Sequence, residues 1–311
     1  MKKILAAAGA SALTVLGAGA CVFLAASPRR KEDLRPIEER VDPLWEEYKD
    51  GVFEGIRWFH EQNPERVEIL SHDGLKLRGH YLAHPEAKGT ILLFHGYRTD
   101  GFLDFSCVYP YYYGLGYSLL HVFQRSHRES EGKFITFGVK ERFDCQRWAQ
   151  YAYERFGAEH PLVLDGMSMG ASTVLMASEL ELPPTVRGII ADCGFTSGWE
   201  ELRYLLRKAH VPCGGLILGA ADLFAKRIAD FSFRECSTVE ALKHCTVPVL
   251  LIHGQEDDFV PPWFSEENYS ACGCEKELHI VPRAKHGTSY MVDLDRCQKT
   301  LERFLKDCME G

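Results

Sequence analysis

The sequence contains no C-x-x-C pair, although eleven of its 311 residues are cysteines. Cys272 and Cys274 are the only two that lie close together, and no second cluster has the spacing of metal ligands, which argues against a structural zinc site. The cysteines are odd in number and scattered, which is typical of small buried hydrophobic residues and hints at a reducing environment. We therefore expect no metal.

The body of the chain also has no long cluster of lysine and arginine. Its 36 basic and 44 acidic residues give a formal net charge of −8, which argues against nucleic acid or anionic lipid as the main partner. Nothing indicates general disorder, because 46% hydrophobic and 26% charged residues are ordinary for a folded protein. The length is sufficient for one large core or two small ones.

Charge is absent from Ile4 to Ala26, between Met1-Lys2-Lys3 and Arg29-Arg30-Lys31. As a helix this run could cross a ~30 Å hydrocarbon layer, so residues 1–30 are predicted to be a single-pass N-terminal anchor in the cell membrane. The many Ala and Gly residues leave a cleaved signal peptide and a secreted protein as the alternative, with Ala18-Gly19-Ala20 as the cleavage site. Basic residues on both sides leave the membrane face unassigned.

Residues 31–65 carry apolar side chains spaced mostly by three and four from Leu34 to Phe59. This spacing predicts one amphipathic helical face, and the segment is expected to form two helices with a break near Gly51. We interpret it as a helical stalk or as a helix that docks on the body. A membrane-surface helix is the alternative, but the acidic opposite face disfavours anionic lipid.

Residues 66–311 alternate between strand and helix patterns. A hairpin is predicted around Asp73-Gly74, and buried runs separated by helical patterns follow it. Such alternation predicts an α/β fold with a mostly parallel central sheet and helices on both faces. The predicted strands are 67–69, 75–82, 90–94, 118–122, 162–164, 186–191, 247–252 and 278–281, and the clearest helices are 139–156 and 290–309.

One connection, after the strand that ends near Asp192, is too long for a simple crossover. It contains helical patterns over about residues 199–245 and follows the carboxyl end of a strand, where open α/β sheets bind ligands. We predict a helical lid insertion. Its many apolar side chains are expected to line an acyl pocket in part; the alternative is that they only pack on the sheet.

Ser168 lies where a buried apolar strand turns into a helix, within Gly166-Met167-Ser168-Met169-Gly170. Small flanking residues allow a strained turn that leaves the hydroxyl clear of the backbone, as a nucleophile requires. The pattern therefore predicts a nucleophilic serine. The alternative is a serine that only caps the following helix.

A serine nucleophile needs a base and an acid that orients it, in the chain order Ser, Asp or Glu, His for this kind of turn. His279 lies within a strand pattern and His253 directly follows a strand, whereas His286 lies in the loop between the last strand and the last helix. We therefore predict His286 as the base. Asp257, in the turn after the preceding buried strand, is the favoured acid, with Asp258 as the near rival and Asp192 as the outside candidate.

The oxyanion of an acyl intermediate needs two backbone donors. The amide of Met169, at the start of the helix after Ser168, is predicted to be one of them. The second is expected from the turn after strand 90–94, and Tyr97 is our choice. No candidate catalytic residue precedes Tyr97, so a protein lacking residues 1–30 is expected to stay active.

Taken together, five segments resemble the α/β-hydrolase superfamily, in particular small bacterial hydrolases of the esterase or prolyl-oligopeptidase-like type. The resemblance spans Arg66 to Cys308 and implies Ser168, Asp257 and His286 as the triad. One segment departs from the family pattern: residues 124–130 read QRSHRES where relatives often have Asp-x-Arg before His-Gly-x-Ser. The matching segments are HGY at His95, ESEGKFITFG from Glu129, GMSMGAS at Gly166, HGQEDDFVP at His253 and AKHGTSY at Ala284.

This resemblance implies a serine hydrolase that cleaves carboxylic esters through an acyl-enzyme. Serine, imidazole and backbone amides supply all the groups that the reaction needs, so no metal or organic cofactor is implied. The expected partner is a small-molecule ester or acyl substrate. A peptidase or amidase, an acyltransferase and a noncatalytic binding protein on the same fold are the alternatives.

Overall fold

The strands form one sheet in a computed structural model that describes residues 2–31 and 43–310. They are β1 (Glu65–Leu70), β2 (Lys76–Leu82), β3 (Thr90–Phe94), β4 (Ser118–Val122), β5 (Leu162–Met167), β6 (Val186–Asp192), β7 (Val249–Gly254) and β8 (Lys276–Val281). Their order is β1-β2-β4-β3-β5-β6-β7-β8. The pairs β1–β2 and β2–β4 are antiparallel, and every other pair is parallel. The predicted sheet is thus present, with its hairpin turning at Gly74, whose φ of +84° suits glycine.

The helices predicted over 139–156 and 290–309 begin within two residues of those positions, but the second is divided into two helices at Asp293. The helices are α1 (Lys2–Ala26), α2 (Lys49–Glu61), α3 (Tyr109–Gly114), α4 (Glu141–Phe156), α5 (Met169–Ala177), α6 (Gly198–Lys208), α7 (Gly214–Phe224), α8 (Thr238–Leu242), α9 (Trp263–Ala271), α10 (Ser289–Val292) and α11 (Leu294–Glu310). A 3-10 helix (Pro43–Tyr48) precedes α2, and a π-helical turn (Ala225–Ala229) follows α7.

Two apolar layers cover the two faces of the sheet. Strands β3, β5 and β7 are buried along their whole length, as a strand with helices on both sides must be. Side chains of α2, α3 and α11, such as Phe59, Tyr112 and Leu301, form the layer on one face. Those of α4 and α5, such as Trp148 and Leu175, form the layer on the other face. All of these side chains are almost completely buried, so the sheet is the centre of the core.

The predicted stalk is described only from residue 43, and residues 32–42 lie outside the described part of the chain. From there it docks on the body, because Val52, Ile56 and Phe59 are buried in the first of the two layers. Two helices are present, as predicted, but the break expected near Gly51 lies slightly earlier in the chain. Gly51 lies inside the continuous helix α2, and the change from 3-10 to α geometry comes earlier, after Tyr48.

The long connection between β6 and β7 contains α6, α7, the π-helical turn and α8. Helices α6 and α7 contribute to a third apolar cluster, the lid core, which lies over the amino end of α5. Met169 belongs to this cluster, and Tyr97 packs against it. The insertion therefore lies over the carboxyl ends of the strands, where the candidate site residues were expected.

Helix α1 does not stand apart from this body. It packs along α7, and Gly19 approaches so closely that a Cβ there would lie 2.4 Å from the Cβ of Ala220. Phe23 and Ala26 belong to the lid core. Within residues 2–31 and 43–310, no helix combines the length and the apolar character that crossing a membrane requires. The predicted single-pass anchor is therefore not supported by the structure.

Candidate active site

Ser168 lies in a strained turn between β5 and α5. Its φ of +56° and ψ of −115° are outside the regions that most residues adopt. A Cβ on Gly166 would lie 2.3 Å from the carbonyl oxygen of Gly170, and a Cβ on Gly170 would lie 1.8 Å from that of Phe94. Only glycine fits at both positions, which explains why the turn needs them. The alternative role as a helix cap is not seen, since the Ser168 side chain makes no capping hydrogen bond.

The structure brings the three predicted side chains of the triad together. The Oγ of Ser168 lies 3.0 Å from Nε2 of His286, and Nδ1 of His286 lies 2.7 Å from Oδ2 of Asp257. Because a carboxylate only accepts, Nδ1 carries the hydrogen and Nε2 is free to accept the proton of the serine hydroxyl. The Ser168 residue is 7% exposed, whereas the His286 side chain is 21% exposed, so solvent reaches the site on the histidine side.

Asp257 is held as an ionised acceptor. Its Oδ1 accepts hydrogen bonds from the backbone amides of Phe259 and Val260, both at 2.9 Å. Burial alone would raise the pKa of Asp257, but hydrogen bonding to His253 and His286 outweighs it, and the pKa lies well below its usual value. The carboxylate therefore stays charged at neutral pH, as orientation of an imidazolium requires.

The two rival acids occupy other positions. The Asp258 side chain is 86% exposed and pairs with Lys208 at 2.9 Å. Asp192 is buried, and its Oδ1 accepts a hydrogen bond from the hydroxyl of Ser289 at 3.3 Å. Burial raises the pKa of Asp192 well above its usual value. Neither of these carboxyls is hydrogen-bonded to His286.

The loop that carries the predicted second oxyanion donor lies against the nucleophile. A Cβ on Gly96 would be 3.4 Å from the Cβ of Ser168. The backbone amide of Gly96 donates to Oδ2 of Asp104 at 2.6 Å, and the Thr99 hydroxyl donates to the same oxygen at 2.7 Å. This buried carboxylate thus fixes the loop immediately before Tyr97, although burial raises the pKa of Asp104 to about 6.

The end of α1 holds the same loop from the outside. The Tyr97 hydroxyl donates to the carbonyl oxygen of Ala26 at 2.6 Å. Nη2 of Arg98 donates to the carbonyls of Ala25 and Ala26 at 2.7 and 3.2 Å. These oxygens are among the last carbonyls of α1, which have no partner within the helix and attract a cation. Arg98 has a φ of +59°, so this end of the loop is held in an uncommon conformation.

The sequence analysis did not predict that Asp104 and His253 support this site. Asp104 lies in an irregular segment where no periodicity marks it. His253 was set aside as a base, but its Nε2 lies 3.4 Å from Oδ2 of Asp257 and donates to the carbonyl of Val260 at 2.7 Å. The signal for His253 was its place four residues before Asp257, inside a motif that the sequence analysis had already singled out.

The segment that departs from the family pattern, residues 124–130, is fixed by its own contacts. Arg125 is buried and forms a bidentate pair with Asp144, with bonds of 2.5 and 2.6 Å, and it also bonds to Asp73. The Gln124 amide donates to the carbonyl of His95 at 2.5 Å. The loop therefore supports the segment that follows β3, although it lacks the family residues.

In two groups of the described residues, metal-ligating atoms lie within 4.8 Å of one another, and the carboxylates of both groups already accept hydrogen bonds. One group comprises Cys193 and the bonded pair Asp257 and His286. The other comprises His72, Asp73 and Asp144, whose carboxylates both accept hydrogen bonds from Arg125.

The buried side chain of Asp165, in β5, predicts how the stability of the protein depends on pH. Burial raises the pKa of Asp165 from 3.8 to about 7, while the Tyr112 hydroxyl bonds to it at 2.7 Å. The folded state thus keeps a proton that the unfolded state loses, so the free energy of unfolding falls as pH rises from about 4 to 7. Between pH 5 and 7.5, the free energy of unfolding should therefore fall by roughly 2 to 3 kcal/mol less in Asp165→Asn than in the wild type.

Urea denaturation at both pH values measures this difference. Asp295→Asn, on the exposed side of α11, is the matched control and should keep the wild-type pH dependence. If the free energy of unfolding changed equally with pH in the wild type and in Asp165→Asn, Asp165 would be ionised in the folded state.

Known proteins resemble both the sequence and the fold. The pattern of the prolyl oligopeptidase family matches residues 136–311. The chain is 28% identical over 307 residues to the uncharacterized protein YqkD of Bacillus subtilis, covering 98% of this chain and 97% of that protein. An uncharacterized membrane protein of Saccharomyces cerevisiae is 20% identical over 243 residues, covering 74% of this chain and 75% of that protein.

The esterase Pf2001 of Pyrococcus furiosus superposes with a TM-score of 0.62 at 20% identity, over 80% of this chain and 95% of that one. The predicted α/β-hydrolase fold is confirmed.

Proposed function

The chain belongs to the prolyl oligopeptidase family of α/β hydrolases, and we propose that it is a serine hydrolase that cleaves carboxylic esters through an acyl-enzyme. The observation that carries the proposal is the continuous chain of hydrogen bonds from Ser168 through His286 to Asp257. Nucleophile, base and orienting acid stand within hydrogen-bond reach, each at the end of a strand or in the loop after it.

In the proposed reaction, Nε2 of His286 accepts the proton as Oγ of Ser168 bonds to the ester carbonyl carbon. Collapse of the tetrahedral intermediate breaks the bond to the alcohol oxygen, which takes the proton from His286. A water molecule then repeats the sequence, gives its proton to His286 and releases the carboxylic acid and the free serine. Asp257 stabilises the imidazolium that forms in each half.

The proposed oxyanion donors are the amides of Met169 and Tyr97. Among the bonds of the described residues, neither amide donates to a protein acceptor. Met169 is the first residue of α5, where amide hydrogens point out of the helix and favour negative charge. The loop that carries Tyr97 lies against Ser168 through Gly96. Preorganised donors of this kind supply a large share of the stabilisation of an acyl transition state.

The apolar surroundings favour an acyl group over a charged or peptide-like one. The lid core combines Phe137, Phe195 and Trp199 with Met169, and Tyr97 stacks on Phe137 with ring centres 5.4 Å apart. Ligand sites are mostly apolar with few polar groups, which here are the triad and the amides. A peptidase or amidase is the second candidate, because the matched family is named for prolyl oligopeptidase.

The proposal predicts the outcome of labelling and of a substrate series. A fluorophosphonate probe should modify Ser168, as mapped by peptide mass spectrometry. Among p-nitrophenyl esters from acetate to laurate, kcat/KM should rise for small to medium acyl chains by up to about a hundredfold over acetate. Aminoacyl anilides should react more slowly than the esters.

Each result has a contrary outcome. Labelling at another residue would refute the nucleophile. A flat series would show that the lid core does not accept the acyl chain. Faster cleavage of the anilides would favour the peptidase.

A further inference from the structure

The outer face of the lid carries an unusual share of the exposed apolar side chains. Ten large hydrophobic side chains of the described residues are exposed, and six of them lie on α1, on α7 or on the π-helical turn. We call these six the lid patch. Its members, with their exposed fractions, are Leu13 (72%), Leu16 (40%), Leu24 (62%), Leu216 (65%), Leu223 (48%) and Ile228 (53%).

The patch follows from how the two helices pack. On α1, Gly19, Phe23 and Ala26 face inward, while Leu13 and Leu24 are three turns apart on the exposed side. On α7, Leu218 and Ala221 are buried, while Leu216 and Leu223 are two turns apart in solvent. Each helix is therefore apolar on both sides, although only one side has a protein partner within the described residues.

Positive charge borders the patch. Residues 13–31 contain no acid, and Arg29, Arg30 and Lys31 are exposed directly after α1. Residues 211–229 contain one acid, Asp222, which is buried and pairs with Lys226 at 2.8 Å.

Arg227 is exposed beside Lys226. The next acid, Asp230, pairs with Lys140 at 3.3 Å. Within residues 13–31 and 211–229, the exposed charges are thus all basic, in contrast to the net charge of −8 of the whole chain.

From these observations we propose that the lid patch docks the protein on the surface of an anionic lipid bilayer. Leucine side chains in the plane of the interface with lysine and arginine beside them are the combination that binds helices to anionic membranes without spanning them. A second copy of the chain fits less well, because a two-fold pairing of the patch would bring both basic borders together.

The position of the patch also fits the chemistry, and this step rests on the proposed function. The patch and the lid core are opposite sides of the same two helices, and the lid core contacts Met169 and Tyr97. An ester whose acyl chain is dissolved in the bilayer would meet the lid at the surface that covers Ser168. The substrate class inferred is therefore a membrane-soluble acyl ester.

Vesicle flotation with the full-length protein tests the docking, without any substrate. Binding should be stronger to phosphatidylcholine vesicles that contain phosphatidylglycerol than to phosphatidylcholine alone, and should weaken as salt rises. The variant Leu216→Gln/Leu223→Gln should lower the partition coefficient roughly tenfold or more. Arg227→Glu should weaken binding to the anionic vesicles alone.

Leu70→Gln and Leu294→Gln are the matched controls, since both leucines are exposed but lie on β1 and α11. They should bind like the wild type. Circular dichroism checks that every variant is folded.

The docking is overturned if the double variant binds as well as the controls. It is also overturned if the wild type ignores vesicles and instead forms a dimer in sedimentation that the double variant abolishes. A protein that binds vesicles but cleaves no ester would refute the proposed function and leave the docking intact.

Discussion

Ser168→Ala should lower turnover of a soluble ester by roughly 10⁴- to 10⁶-fold while the protein stays folded, and His286→Ala should do the same. Both substitutions break the bond between Oγ and Nε2, which is 3.0 Å long. Without the base the hydroxyl is not a nucleophile at neutral pH, and without the hydroxyl no acyl-enzyme forms. The double variant should be no worse than either single one, since the two groups act as a unit.

The assignment of the acid can be tested by comparing two adjacent aspartates, Asp257 and Asp258, because their side chains occupy different environments. Asp257→Asn should lower turnover by about 10³- to 10⁴-fold, since an amide favours the wrong tautomer of His286. Asp258→Asn should be close to wild type, because that side chain is 86% exposed and pairs with Lys208. Steady-state kinetics with thermal unfolding of each variant measure both effects. Loss in Asp258→Asn with normal turnover in Asp257→Asn would contradict the assignment.

Much of this site could be predicted from the sequence because its causes are local. The turn at Ser168 requires glycine at positions 166 and 170, where a Cβ would clash, and these are the two glycines of the Gly-x-Ser-x-Gly pattern. Strands buried on both faces are continuous apolar runs, so β3, β5 and β7 begin where the runs begin, to within about two residues. The order of nucleophile, acid and base then follows from the topology of the sheet.

The rest could not be predicted, because its causes lie between distant segments. An uncharged run has the same composition whether its partner is lipid or another helix, so Ile4 to Ala26 did not reveal that α1 packs on α7. The close approach at Gly19 depends on Ala220, about two hundred residues away. No sequence pattern predicts the role of Asp104 either, because that role depends on a hydrogen bond from the amide of Gly96.

The placement of α1 replaces the expectation that the N-terminal segment is dispensable. Removal of residues 1–28 should lower kcat for a soluble ester by roughly 10²- to 10³-fold, the usual cost of losing one oxyanion donor. The deletion removes the carbonyls that hold Tyr97 and Arg98, and it removes Phe23, which is 1% exposed in the lid core. The loop then keeps only its inner contacts, through Gly96 and Asp104, so the amide of Tyr97 is held less firmly beside Ser168.

Removal of residues 1–12 is the matched control, because every contact of α1 named above lies after residue 12, and its kcat should be close to wild type. In the full-length chain, Tyr97→Phe and Arg98→Ala remove the same contacts one at a time and should lower kcat with little change in KM. That split separates positioning of a transition-state donor from loss of substrate binding. Circular dichroism and thermal unfolding show whether the shortened protein is folded. A folded protein without residues 1–28 that keeps wild-type kcat, or full-length Tyr97→Phe and Arg98→Ala variants that both do, would show that α1 covers the site without positioning its oxyanion donor.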